Sequence, residues 1–191
     1  MTPAPDRRPL DHTGNLLGAL ALAVADRTSD AVGGAARQSE TAAIALSAMH
    51  QFLDDPSVDQ LRRVLGLTPS GTVRLVDRLQ EAGYVTRRPG RDGRSVALRL
   101  TARGRRAAQR VAAARGDVLA DALSTLDADE REALDALLSR VLAGLIRGPG
   151  AVRWMCRLCD MTACGRSSGR CPVANAARER FAAGGDVSRP A

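Results

Sequence analysis

Apolar residues recur along this chain with helical spacing, except in one short stretch where every second residue is apolar. Leu16, Leu17, Leu20, Val24 and Ala31 predict a first helix over residues 15–32, ended by Gly33 and Gly34. Ser39 is placed to cap a second helix over 40–51, with Ile44, Leu46 and Met49 available for burial. Pro56 and Ser57 open a short helix through Leu65 that puts Val58, Leu61, Val64 and Leu65 on one face. Gly66 then permits a tight turn whose corner Leu67 plugs, Thr68 caps the next helix, Pro69 takes its first position, and Gly83 stops it after Ala82. Residues 84–88 and 95–100 form two strands across Asp92-Gly93, since Val96, Leu98 and Leu100 alternate with Ser95, Ala97 and Arg99. Thr101 caps a long helix from Ala102 to about Leu123, and Asp127 with Glu130 opens another. The stripe Leu134, Leu137, Leu138, Val141, Leu142 and Leu145 on that last helix requires a partner helix.

Helix, tight turn, helix and hairpin in this order predict a mainly α fold with a small β-hairpin wing, a winged helix-turn-helix. Charge sharpens the reading. Residues 62–110 carry thirteen arginines against Asp77, Glu81 and Asp92, a net +10 in a chain whose total is +7. A polyphosphate partner responds to charge density within a Debye length of roughly 8 Å, so one concentrated block points to double-stranded DNA. Aromatic residues make up only 2% of the chain, too few for the stacking platforms that single-strand or RNA binders need. The core must therefore be built from Ala, Leu and Val in closely packed helices. The absence of lysine follows the chain's Arg-rich, Ala-rich composition.

On the helix 69–82 the 3.6-residue period turns Val73, Leu75, Val76 and Leu79 inward and puts Ser70, Thr72, Arg74 and Arg78 on or beside the polar face. That face is the candidate major-groove reader. Arg74 and Arg78, four residues apart, could serve guanine O6/N7 and a phosphate, with Asp77 beside them. The hairpin tip 90–94 offers Arg94, and after it Arg91, to the minor groove. Neither a nucleophile elbow nor a phosphate-binding glycine loop is present, so no enzyme chemistry is expected. His12 and His50 are isolated.

All four cysteines, Cys156, Cys159, Cys164 and Cys171, lie within sixteen residues after the Gly148–Gly150 break, and Pro172 and a short helix through Phe181 follow. Four soft ligands in one loop predict a metal site. The metal is left open: only Cys156 and Cys159 have zinc-knuckle spacing, a compact all-cysteine loop followed by proline also suits an iron-sulfur cluster, and metal-free thiols or a disulfide switch is a third reading. Arg153, Arg157, Arg166 and Arg170 would balance the thiolate charge, and Trp154 reads as a packing anchor. The longest apolar stretch, residues 16–25, is too short for a bilayer and lacks a signal-peptide layout, which excludes a membrane span and places the protein in the cytoplasm.

The run LGLTPSGTVRLVDRLQEAGYVTR at 65–87, DGRS at 92–95 and LTARG at 100–104 together resemble the MarR family of bacterial transcriptional regulators. The resemblance spans about 14–146. It implies that helix 69–82 is the recognition helix, that Arg94 makes the minor-groove contact, and that the N- and C-terminal helices form a homodimer facing a pseudo-palindromic site with half-sites ~34 Å apart. Such a regulator is usually a repressor. Family members often take small phenolic or hydrophobic effectors, and others sense oxidants through a cysteine near the first helix. Here no residue set marks an effector pocket and no cysteine precedes position 156, so a small-molecule or redox effector would act elsewhere, with the extension as first candidate. The expected organisation is a disordered arm at 1–13, the winged helix with dimerisation helices at 14–146, a cysteine-rich metal-binding module at 147–183 and a disordered tail at 184–191. The competing reading is a metal-cluster or redox protein that uses its winged helix to dock another protein.

Overall fold

The computed structural model describes residues 11–90, 95–148 and 150–181. The elements follow the chain as α1 (His12–Ala36), α2 (Glu40–Gln51), α3 (Val58–Leu65), α4 (Pro69–Glu81), β1 (Val85–Pro89), β2 (Val96–Leu100), α5 (Ala102–Ala122), α6 (Ala128–Gly144), α7 (Ala151–Met155) and α8 (Pro172–Phe181). The two strands pair antiparallel, with Val85 opposite Leu100 and Pro89 opposite Val96. The fold is mainly helical with a hairpin wing, as the periodicity predicts.

Two boundaries differ from the sequence reading. The first helix begins at His12, because the Asp11 side chain accepts the Gly14 N–H at 2.6 Å and caps it. The segment expected as an arm over 1–13 therefore includes the helix start, and residues 1–10 lie outside the described residues. At its other end the helix runs through Gly33 and Gly34 to Ala36, and the left-handed residue is Arg37, at φ 54°. Glycine inside a helix costs only about 1 kcal/mol against alanine, and α1 offsets this by packing along α2 and α5, with Val32 and Ala36 fully buried.

The main core lies under the wing. Leu46 of α2, Leu61 and Val64 of α3, Leu75, Val76 and Leu79 of α4, and Val85 and Leu98 of the strands fill it. Small residues of α2 and α5 let the helices approach: Ala42, Ala45 and Ala48 meet Ala107 and Ala108 there. At Gly104 the approach leaves no room at all, since a Cβ there would stand 2.1 Å from the Tyr84 carbonyl oxygen. Thr101 Oγ1 accepts the Gly104 N–H at 3.0 Å and donates to the Gly83 carbonyl at 2.7 Å, tying the end of the wing to the end of α4. The Tyr84 hydroxyl, buried, donates to the Ala36 carbonyl at 3.2 Å. These bonds fix the angle between wing and reader helix.

No residue of α6 is buried, and Leu137, Leu138, Val141, Leu142 and Leu145 lie open, as do Leu16, Leu17, Leu20 and Leu22 of α1. Among the described residues no helix is long and apolar enough to cross a membrane.

Candidate nucleic-acid interface and cysteine cluster

Helices α3 and α4 meet at Gly66, whose φ of +66° is the left-handed turn that glycine adopts without strain. A capping box between Ser57 and Gln60 starts α3, and the Thr68 side chain accepts the Gly71 N–H at 3.1 Å to start α4. On α4, Ser70, Arg74 and Arg78 are exposed. Thr72 is not; the reading that placed it on the polar face is corrected. It is fully buried and its hydroxyl donates to the Thr68 carbonyl at 2.9 Å, so burial leaves no polar group unsatisfied. Val73, expected inside, is instead 46% exposed between Ser70 and Arg74. Threonine and valine have nearly the same shape, and polarity alone assigned them to the wrong sides; the inward set is 72, 75, 76 and 79.

The arginines of the basic block divide by what they touch. Arg62 and Arg63 pair with Asp59, whose carboxyl they hold below its ordinary range, and Arg99 pairs with Asp55. Arg105 donates to the Leu100 carbonyl, Arg110 to the Ala35 carbonyl, and Arg103 lies over the Tyr84 ring at 4.9 Å. Asp77, expected beside Arg74, pairs instead with Arg87 of β1 at 2.5 Å, while Arg87 also donates to Gln80 at 2.6 Å. That pair clamps the wing to the reader helix. Arg74, Arg78 and Arg88 are exposed and make no ion pair among the described residues. Arg91 and Arg94, with Asp92 and Gly93 at the wing tip, lie outside the described residues.

Arg37, Tyr84, Arg103, Arg106 and Arg110 also wall an open pocket of about 380 Å³. They come from α1, the α4–β1 junction and α5, so no local motif could have announced it.

The four cysteines converge, and none is in a disulfide. Cys156 and Cys171 are buried in a second small core with Ile146, Val152 and Val173, and Cys159 and Cys164 pack against it. The thiols stand in two pairs. Hydrogen bonding from Cys156 holds the Cys159 thiol down to about 6, while Cys156 itself is pushed up by that bond and by burial. Burial likewise pushes Cys164 up, against a hydrogen bond from the Arg166 backbone, and the neighbouring Cys171 raises it further. Cys171 Sγ accepts the Ala174 N–H at 3.5 Å at the start of α8. Among the described residues no three His, Cys, Asp or Glu side chains stand around one point as a ready cation site.

This cluster is not a separate bead. Ile146, assigned from the sequence to the winged helix, belongs to its core. Leu158 packs against Val32, Ala36, Ala43 and Val111, and the Met161 N–H donates to Gln51 Oε1 at 3.1 Å. Trp154 lies beside the reader's turn: its Nε1 is 3.8 Å from where a Cβ on Gly66 would stand. Arg157 stacks on the other part of the indole environment, 4.2 Å from the ring centroid.

Residues 39–95 match the family model described as MarR family. The structure is similar to that of MepR of Staphylococcus aureus, a transcription regulator of the multidrug efflux pump MepA, at 14% identity and TM-score 0.62, covering 71% of this chain and 99% of MepR. It is also similar to wild-type MarR of E. coli in its apo form, at 25% identity and TM-score 0.51, covering 66% of this chain and 96% of that one. A MarR family protein of Mycobacterium tuberculosis, in complex with p-aminosalicylic acid, matches at 25% identity and TM-score 0.52 over 70% of this chain and 98% of its own. No curated protein matches the sequence. The turn, the reader helix and the start of the wing lie within the segment that matches the MarR family model, and the fold is similar to that of solved MarR family structures.

Proposed function

We propose that this protein is a homodimeric DNA-binding transcriptional regulator that represses by occupying a pseudo-palindromic site. The observation that carries the reading is the sorting of arginines: among the described residues most guanidiniums of the block are paired, whereas Arg74 and Arg78 on the outer face of α4 make no ion pair. Uncompensated arginines on one helix face are what a phosphate-lined groove attracts. Arg74 and Arg78 are the base and phosphate contacts in the major groove, Ser70 a backbone contact at the helix start, and Val73 an apolar contact suited to a thymine methyl. Thr72 has no part in it. Arg94, with Arg91, enters the minor groove from the wing tip. The Asp77–Arg87 pair makes reader and wing move as one body.

The open apolar faces of α1 and α6 support the dimer. Nine large aliphatic side chains on two helices exceed what scattered surface exposure explains, and a second copy is the partner that a symmetric reader needs. A small organic anion is the effector we assign to the arginine-lined pocket beside Tyr84, where the guanidiniums would meet its carboxylate. The protein works in the cytoplasm, where the DNA is, and performs no catalysis.

Footprinting on the DNA upstream of its own gene tests the reading. The dimer should protect two windows about one helical turn, ~34 Å, apart. Changing Arg74 and Arg78 together to alanine should erase both windows while the fold is kept. A chain that protects no duplex, or a double variant that protects it equally well, overturns the proposal.

A further inference from the structure

We propose that Cys156, Cys159, Cys164 and Cys171 form a four-thiolate site for a thiophilic metal, either a single zinc-type cation or an iron-sulfur cluster, and that its occupancy holds Trp154 against the turn between α3 and α4.

The argument starts from size. The core around the cysteines contains Ile146, Val152, Val173 and the small residues Ala174, Ala176 and Ala177, with Phe181 at its margin. Between Cys156 and Cys171 the backbone forms turns and irregular stretches, with neither helix nor strand. So few large apolar residues make a weak core that leans on the contacts of Leu158 and Met161 with the rest of the chain, and weak cores of this kind gain most from a cross-link. The thiols are the groups at the centre, and no disulfide joins them.

The chemistry of the donor set fits. The Cys159 N–H bonds back to the Cys156 carbonyl at 2.9 Å, closing the tight turn that brings two sulfurs of a C-x2-C pair to one side. Cys171 sits at the start of α8, where the Ala174 N–H reaches its sulfur, and the Arg166 backbone reaches Cys164. Backbone N–H groups aimed at sulfur stabilise thiolates and leave them free to bind a metal. Arg166 lies near Cys156 and Arg115 near Cys159, so positive charge is at hand for an anionic centre. Cys156 and Cys171 lie in one small core with Cys159 and Cys164 packed against it, so a modest closing of the turns would bring the four sulfurs around one point, which no three of them yet surround. A cation bound by the four sulfurs would release their thiol protons to solvent.

The link to the reader is covalent at one end and packed at the other. Trp154 is two residues before Cys156, on α7, and its indole lies along Gly66. Leu158, between the first two cysteines, is inserted among α1, α2 and α5. A metal that fixes Cys156 and Cys159 fixes both anchors. The effect on DNA binding rests on the regulator reading above; the metal site does not.

The test uses the full-length chain purified without chelator and without oxygen. Elemental analysis and visible absorbance should give about one zinc per chain in a colourless protein, or iron with acid-labile sulfide in a coloured one. Either result supports the site and names its occupant. Stripping the metal should shift the emission of Trp154, the single tryptophan, and weaken duplex binding at least tenfold, with both restored on reloading. Cys164→Ser with Cys171→Ser should lose the metal while the α-helical dichroism of the winged helix persists. A reduced chain that takes up neither zinc nor iron and sulfide, or a double variant that retains full metal, overturns the site. Unchanged emission and affinity on stripping overturns the coupling alone. Absence of DNA binding in both states counts against the regulator reading and leaves the metal analysis to stand.

Discussion

The winged helix and the cysteine segment, joined in one chain, are held together by different physics. Under the wing, long aliphatic side chains from three helices and two strands are removed from water completely, and every buried side-chain polar atom among the described residues has a partner. Around the cysteines the apolar residues are small, the backbone is mostly turns, and sulfur occupies the middle. The first region rests on long aliphatic packing; the second rests on a small core and on contacts of Leu158 and Met161 with the rest of the chain. The two regions meet at Gly66 and Trp154.

Breaking the rigid half should have the largest consequences. Leu61→Ala, in the fully buried centre, should cost ~2–5 kcal/mol of unfolding free energy in urea melts. A comparable truncation in the small core, Val173→Ala, should leave the main transition nearly in place. Gly104→Ala comes next: with a Cβ driven toward the Tyr84 carbonyl, α5 must move, and ~1–3 kcal/mol of stability should be lost by the same measurement. Leu142→Asp should leave the monomer's stability almost unchanged, because the residue is exposed, yet convert dimer to monomer in sedimentation and abolish cooperative DNA binding. The mildest change sharpens the division of labour on α4. Thr72→Val should alter stability by no more than about 1 kcal/mol, since the Thr68 carbonyl still receives the Thr72 N–H, and DNA affinity should hold. Ser70→Ala should reverse that pattern, with stability kept and affinity reduced.

Much of the rigid half is legible in the sequence because its signals are local and agree with one another. Ser57, Thr68, Thr101 and Asp127 each cap the helix that their position announces. Gly66 and the alternation through Leu98 mark the turn and the wing. What escapes is whatever depends on distant partners. Asp77 reads as a neighbour of Arg74 on one helix, yet a strand supplies Arg87. Thr72 and Val73 differ in polarity and hardly in shape, so helix phase, fixed by packing against α3, decides which is buried. Gly33 and Gly34 carry a stop signal that packing along α5 overrides. In the cysteine segment the spacing predicts convergence, but only the fold brings Trp154, Leu158 and Gln51 into the account.

The most direct test of the central claim is the affinity of the protein for the duplex upstream of its gene as salt is raised. The account predicts that log affinity falls linearly with log salt, with a slope of about −0.9 for each phosphate engaged, and that Arg78→Ala makes the slope shallower by about one if Arg78 takes a phosphate. Binding indifferent to salt, or no binding at low ionic strength with the thiol site either loaded or stripped, would contradict it.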